Sequence, residues 1–197
     1  MRIPGVCKTL RKPTIHYRSH EQTLKWCILY VNIHPVKRLQ FLQPMANTYT
    51  QIHLQVVFAV RSRGHLIREA WKEELQKYLT GIIQNNGHKV LAINGMPDHY
   101  HILIGLRPAQ AIADLMRDVK AGSAKWINEQ GYVYGRFEWQ DGYGAFSYEK
   151  SALPTVIAYI MNQKEHHRVK TFQEEYLELL KEFEVQYDEK YLFTAPD

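Results

Sequence analysis

Between Thr50 and Phe146 two residue periods alternate in a fixed order, and that order leaves few folds open. In TQIHLQVVFAV (50–60), Ile52, Leu54, Val56, Phe58 and Val60 alternate with Gln51, His53 and Gln55, the pattern of a strand with one apolar and one polar face. REAWKEELQKYLTGIIQNNG (68–87) then spaces Trp71, Leu75, Leu79 and Ile82 or Ile83 at helical intervals and stops at Asn85-Asn86-Gly87, a good helix end. Two strands follow, HKVLAIN (88–94) and HYHILIGL (99–106), joined by the tight connection GMPD. AIADLMRDVKAGSAKWINEQG (111–131) is a second helix with Ile112, Leu115, Met116, Val119 and Trp126 on one side, closing at Gly131. FEWQDGYGAF (137–146) reads as a strand interrupted by a Gly-rich turn. Strand, helix, strand, strand, helix, strand is the βαββαβ plan of a ferredoxin-like α+β sandwich: an antiparallel sheet with two helices on one face. A third helix, about LPTVIAYIMNQKEHH (153–167), follows the completed sheet and starts near Pro154, which a helix tolerates only in its first turn. FQEEYLELLKEFEVQY (172–187) places Phe172, Leu179, Leu180 and Phe183 in an amphipathic helix.

The 197 residues suffice for one domain with an extension and are short for two. Net charge is +5, but it is unevenly placed: residues 1–44 hold eight Lys and Arg against one acid, Glu21. Residues 45–170 hold 15 basic and 11 acidic groups, and residues 171–197 two basic and eight acidic. The expected organisation is a basic extension over 1–44, outside the fold and dispensable, a body over 45–170 beginning near Met45, and an acidic helical tail over 171–197. A mildly basic body is compatible with DNA binding. Both cysteines, Cys7 and Cys27, precede the body, which excludes a disulfide framework, a Cys-ligated zinc site and a Cys nucleophile within it. No apolar run approaches the roughly 18 to 20 residues of a membrane span. The expectation is a soluble, cytoplasmic protein with no membrane partner.

Within the third strand, His99 and His101 share one face, while Tyr100, Ile102 and Ile104 share the other. If the apolar trio packs on the two helices, the histidines point to the helix-free side, together with Gln51, His53 and Gln55 if the first strand lies alongside. Taken alone, a His-x-His on a half-wet sheet face needs no ligand. Two imidazoles about 7 Å apart along a strand can nevertheless reach one divalent ion, and a third ligand must then come from elsewhere. The third helix offers Tyr159 and Gln163, four apart and so one turn apart on one face. A Gln carbonyl oxygen suits a hard ion such as Mg²⁺ or Mn²⁺. His166, His167 and Arg168 read most simply as a polar helix end, where cations complement the dipole. No obvious general base stands near the tyrosine.

PDHYHILIG (97–105) and AYIMNQKEHH (158–167), in this order and spacing, resemble the single-tyrosine HUH transposases of the insertion-sequence-200 type, which include the REP-associated tyrosine transposases. WQDGYGAFS (139–147) and DVKAGSAKWIN (118–128) resemble the family's flanking segments, and the similarity runs from about Tyr49 to Phe172. One departure is Tyr100, where the family usually has an aliphatic residue; it lies on the packed face. The resemblance implies that His99, His101 and Gln163 bind a divalent metal, Mg²⁺ or Mn²⁺, and that Tyr159 is the nucleophile. It implies a DNA transposase that cleaves and rejoins single-stranded DNA through a 5′-phosphotyrosine bond, recognises a hairpin, and works as a homodimer in which the tyrosine helix commonly serves the partner's histidines. Arg61, Arg63, Lys120 and Lys125 are candidate phosphate contacts and Trp139 and Tyr143 candidate base-stacking residues. Two other readings stand beside this one: a nonenzymatic or host-retained hairpin-binding protein, and a metal-dependent hydrolase using the histidines alone. The second finds no acidic ligand at useful spacing.

Overall fold

The computed structural model describes residues 49–61 and 64–193. The expected order of elements is present: β1 (His53–Ala59), α1 (Glu69–Asn85), β2 (Lys89–Met96), β3 (His99–Gly105), α2 (Ile112–Gln130) and β4 (Gly144–Ser147). The four strands form one sheet in the order β2-β3-β1-β4, with every neighbouring pair antiparallel. The last strand is shorter than its sequence suggests. Ahead of Gly144 the ladder is reduced to an isolated bridge between Trp139 and Val60, with the Gln140 N–H donating to the Ala59 carbonyl at 2.9 Å. The 1–44 extension lies outside the described residues. Among those described, no helix is long and apolar enough to cross a membrane.

The first sheet face behaves as the periodicity predicts. Val56, Phe58, Val60, Tyr100, Ile102 and Ile104 pack against Trp71, Leu75, Leu79 and Ile83 of α1 and Leu115, Met116, Val119 and Ile127 of α2. Each such side chain contributes about 1.5–3 kcal/mol on burial. α2 stops at Gly131, whose φ of 66° is a left-handed helix end that glycine adopts without strain. Between β2 and β3, a Cβ on Gly95 would stand 2.7 Å from both the His99 carbonyl oxygen and the Tyr100 ring, so the absence of a side chain there lets the hairpin close over Tyr100.

The second face departs from expectation. It is not helix-free: α3 (Leu153–Met161), α4 (Gln163–His166) and α5 (Phe172–Glu182) cover it. Val156 and Ile160 of α3 pack on Ala92 and Leu103, and Phe172, Leu179 and Leu180 of α5 pack with Phe146 on Val57 and Ala59. The segment expected as an acidic tail thus closes the fold as a third layer. The physical reason lies in the strands: VVFAV in β1 and the ILI of β3 are continuous apolar runs, which suit a sheet covered on both faces rather than one half-exposed. A short α6 (Glu189–Leu192) ends the described chain.

Two local devices set the second face. Thr171 caps α5 through a capping box, its side chain accepting from the Glu174 backbone N–H while the Glu174 carboxylate accepts from the Thr171 N–H. The expected single helix over 153–167 is broken at Asn162. Asn94 of β2 sits at the break, its side-chain amide donating to the carbonyls of Ile160 at 3.0 Å and Met161 at 3.1 Å. A side chain that engages helix carbonyls in this way marks where one helix ends and the next begins.

Candidate metal centre and tyrosine site

Antiparallel pairing sets Ala59 opposite His99 and Val57 opposite His101 on β1, and Met96 and Asn94 opposite the same two on β2. The second face of the sheet therefore carries both imidazoles at its centre, under α3, α4 and α5. His99 is 1 % exposed, His101 0 %, Gln163 0 % and Glu175 2 %. Polar groups this deep need partners.

Asp98 accepts a hydrogen bond from His99 Nδ1 at 2.7 Å, and Phe172 stacks on the His99 ring at 4.2 Å between centroids. His99 Nε2 is thereby turned inward, where it lies 3.5 Å from Gln163 Oε1. His101 Nδ1 faces the Gln55 amide at 2.9 Å, and the Tyr159 ring stands edge-on to His101 with centroids 6.0 Å apart. His167, just after α4, donates from Nδ1 to the Lys170 carbonyl at 2.9 Å and points Nε2 inward. Tyr159 and Gln163 stand beside the histidine pair. They do so within one chain and across the helix break, with Asn94 holding the junction.

The residue that sequence reasoning missed is Glu175 of α5. Its Oε1 accepts from the Tyr159 hydroxyl and from Gln163 Nε2, the latter at 2.9 Å. Its Oε2 lies 3.1 Å from His167 Nε2, 3.4 Å from His101 Nε2 and 3.9 Å from His99 Nε2. An acidic group at useful position therefore exists, and so does an acceptor for the tyrosine proton. The available signal was helical phase: Glu175 sits three residues after Phe172 and four before Leu179, inside the apolar stripe of an otherwise acidic helix. His167 offered no such signal, because a His-His-Arg helix end is ordinarily solvated.

Electrostatics follow from this packing. Burial alone would raise the Glu175 carboxyl, but the facing His101 and His167 imidazoles and the Tyr159 hydroxyl outweigh it and hold the group well below the usual carboxylate range. Burial, the Glu175 charge and its hydrogen bond push the Tyr159 phenol far above its ordinary value. Burial also lowers His99, against the pull of Asp98, so its imidazole is neutral. At His167 burial works downward, but the Glu175 carboxylate prevails and raises it. His101 Nε2, His166 Nε2, His167 Nε2 and Glu175 Oε2 are buried and without a hydrogen-bond partner among the described residues. Imidazole nitrogens converging on a carboxylate oxygen, with the Gln163 amide oxygen beside them, are a donor set that fits a divalent cation.

The candidate DNA contacts are placed differently. Arg61, Lys120, Lys125 and Arg136 line one open groove along α2, interleaved with Glu129, Glu138 and Asp141. Arg61 pairs with Glu138 at 2.5 Å and Lys125 with Glu129 at 3.7 Å, both near the surface. Lys120 instead turns inward, donating to the carbonyls of Gln140 at 2.5 Å and Gly142 at 2.8 Å, and so fastens the Gly-rich turn. Trp139 is 6 % exposed, packed edge-on against Phe58 and Phe137, with its indole N–H donating to Ser123 Oγ at 2.9 Å. It packs in the core and also lines the same groove. Tyr143 is half-buried at the edge of the same core. Arg63 lies outside the described residues.

Comparison with known proteins finds transposases. The chain is 25 % identical over 118 residues to the ISDra2 transposase TnpA of Deinococcus radiodurans, a match spanning 57 % of this chain and 84 % of that protein. A crystal structure of a candidate transposase from Deinococcus radiodurans R1 is similar at 22 % identity and a TM-score of 0.49, over 59 % of this chain and 94 % of that one. A REP-associated tyrosine transposase bound to a REP hairpin is similar at 13 % identity and the same TM-score, over 61 % and 71 %. The family model described as "Transposase IS200 like" matches residues 48–163, more than half of the sequence and every strand of the sheet. The chain belongs to the IS200-like transposase family.

Proposed function

We propose that this transposase cleaves and rejoins single-stranded DNA with Tyr159 as nucleophile, and that His99, His101 and Gln163 hold a divalent cation, Mg²⁺ or Mn²⁺, at the reacting phosphate. The observation that carries the reading is the convergence, under one sheet face, of the Tyr159 hydroxyl, the two inward imidazoles and the Gln163 amide. Tyr159 Oη attacks phosphorus, the Oη–P bond forms, the P–O3′ bond breaks, and the departing 3′ oxygen takes up a proton from water to leave as a 3′-hydroxyl. The product is a 5′-phosphotyrosine whose bond energy is retained for rejoining. The phenol is protonated at neutral pH, and its proton sits in the hydrogen bond to Glu175 Oε1, the acceptor at the start of its transfer. When bound, a divalent cation supplies polarisation of the scissile phosphate and neutralises charge that develops there. Asp98 fixes the His99 ring, and Gln55 the His101 ring, so that both Nε2 atoms face the site.

The family resemblance supports a hairpin in single-stranded DNA as the substrate and a homodimer as the acting species. Arg61 and Lys125, on the groove along α2, contact backbone phosphates; their loss weakens binding of all sequences alike and flattens its salt dependence. The test incubates purified protein with hairpin oligonucleotides from its own flanking DNA and Mg²⁺ or Mn²⁺. Wild type gives a protein-DNA band that survives denaturation, and Tyr159→Phe binds the hairpin without giving it. Hairpin binding with no covalent band from wild type would favour a binding protein instead.

A further inference from the structure

Glu175 presents its two oxygens to different groups. Oε1 is engaged by Tyr159 and Gln163, while Oε2 faces three imidazole nitrogens and has no hydrogen-bond partner among the described residues. We propose that Glu175 and His167 are themselves ligands of the cation, joining His99, His101 and Gln163 in a site of three imidazoles, one carboxylate and one amide oxygen. The inference rests on the reading above that the histidine pair holds a metal, and it adds two ligands that follow the segment matched by the family.

Three observations support it. First, one ligand atom from each of His99, His101, His167 and Glu175 lies within 4.8 Å of all the others. Neighbouring ligands on an ion with bonds of about 2.1 Å stand about 3.0 Å apart in an octahedron and about 3.4 Å in a tetrahedron. The separations of Glu175 Oε2 from His167 and His101, 3.1 and 3.4 Å, match those edges, and 3.9 Å to His99 is one small adjustment away. Second, the outer ring nitrogens are already bonded as metal-bound histidines require: His99 Nδ1 to Asp98 and His167 Nδ1 to a carbonyl, which turns each Nε2 inward. His101 reaches the same state when the Gln55 amide, whose oxygen has no partner as placed, turns over to accept from Nδ1–H. Third, the orphaned atoms are buried, so bulk solvent does not reach them. Three imidazoles favour Mn²⁺, Co²⁺ or Zn²⁺ over Mg²⁺, which prefers oxygen. Through its two oxygens Glu175 would then tie the nucleophile to the ion.

The test titrates Mn²⁺, Co²⁺, Zn²⁺ and Mg²⁺ separately into the full, chelator-treated chain by calorimetry, with the visible spectrum of the Co²⁺ form as a second readout. Wild type binds Mn²⁺ more tightly than Mg²⁺. Glu175→Gln and His167→Asn each weaken Mn²⁺ at least about 10-fold and shift the Co²⁺ bands, and His99→Ala abolishes binding. If His99→Ala abolishes binding while Glu175→Gln and His167→Asn bind as wild type or tighter, the inference falls and the reading of the histidine pair stands. A Glu175→Gln that binds more tightly would make the carboxylate a competitor of the metal. If His99→Ala leaves binding unchanged, the cation is held elsewhere and both fall. Should Glu175→Gln lose its circular dichroism, His167→Asn decides alone.

Discussion

Asn94 offers a quantitative test of how the tyrosine is placed. Its amide donates to two carbonyls where α3 ends, and its own oxygen accepts from the Gly95 N–H at 2.9 Å. One of the two carbonyl bonds is half-buried and the other exposed, so water replaces the second at little cost. Asn94→Ala then loses one effective bond and leaves one carbonyl poorly solvated, about 1–2 kcal/mol together. In a folded unit of this size that lowers Tm by about 2–6 °C. Asn94→Asp is the sharper variant, because it keeps the acceptor for Gly95 yet replaces both donors with a negative charge at a helix C-terminus. Charge of that sign adds about 0.3–1 kcal/mol of destabilisation, so Asn94→Asp should be less stable than Asn94→Ala at neutral pH and should approach it once the carboxyl is protonated. Urea unfolding followed by circular dichroism measures both. Cleavage should fall further than stability does, since the junction sets Tyr159 relative to Gln163. An Asp variant as stable as wild type at neutral pH would refute the argument.

Other perturbations follow from the same packing. Gly95→Ala drives a Cβ against the His99 backbone and the Tyr100 ring; overpacking of this kind costs about 1–3 kcal/mol, and metal affinity should drop with it because the clash moves His99 itself. Trp139→Ala should cost about 3–5 kcal/mol in urea unfolding, and a variant that keeps its stability but loses hairpin binding would restore Trp139 as a base-stacking residue. Thr171→Ala removes the cap of α5 for about 1 kcal/mol, with amide hydrogen exchange rising first in 172–175.

The sheet and its first helix layer could be read from sequence because there the burial pattern is local: alternation in β1 and 3.6-residue spacing in α1 and α2 each specify one covered face. The second layer was harder. Apolar runs in β1 and β3 already implied cover on both faces, but the polar neighbours Gln51, His53 and Gln55 suggested an open side, and Gln55 proves to be buried against His101. At the site, His99, His101, Tyr159 and Gln163 were legible because short spacings place them on one strand face and one helix face. Glu175 and His167 were not, since their role depends on α5 folding back over the sheet, a long-range packing event that no local spacing encodes. The break at Asn162 was hidden for the same reason: its cause, Asn94, is 68 positions earlier in the chain, on a different element. Trp139 and Lys120 looked like DNA contacts because neither an aromatic beside a Gly-rich turn nor a lysine on a helix carries a mark of burial until Ser123 and the turn carbonyls are seen around them.

The central claim is that Tyr159 carries the DNA. Digestion of the covalent protein-DNA product with trypsin, followed by mass spectrometry, tests it directly, because cleavage after Lys150 and Lys164 gives a peptide, 151–164, in which Tyr159 is the one tyrosine. The account predicts a phosphodiester-linked oligonucleotide on that peptide alone, joined through its 5′ end. An adduct mapped to any other peptide, or a linkage through a 3′ phosphate, would contradict it.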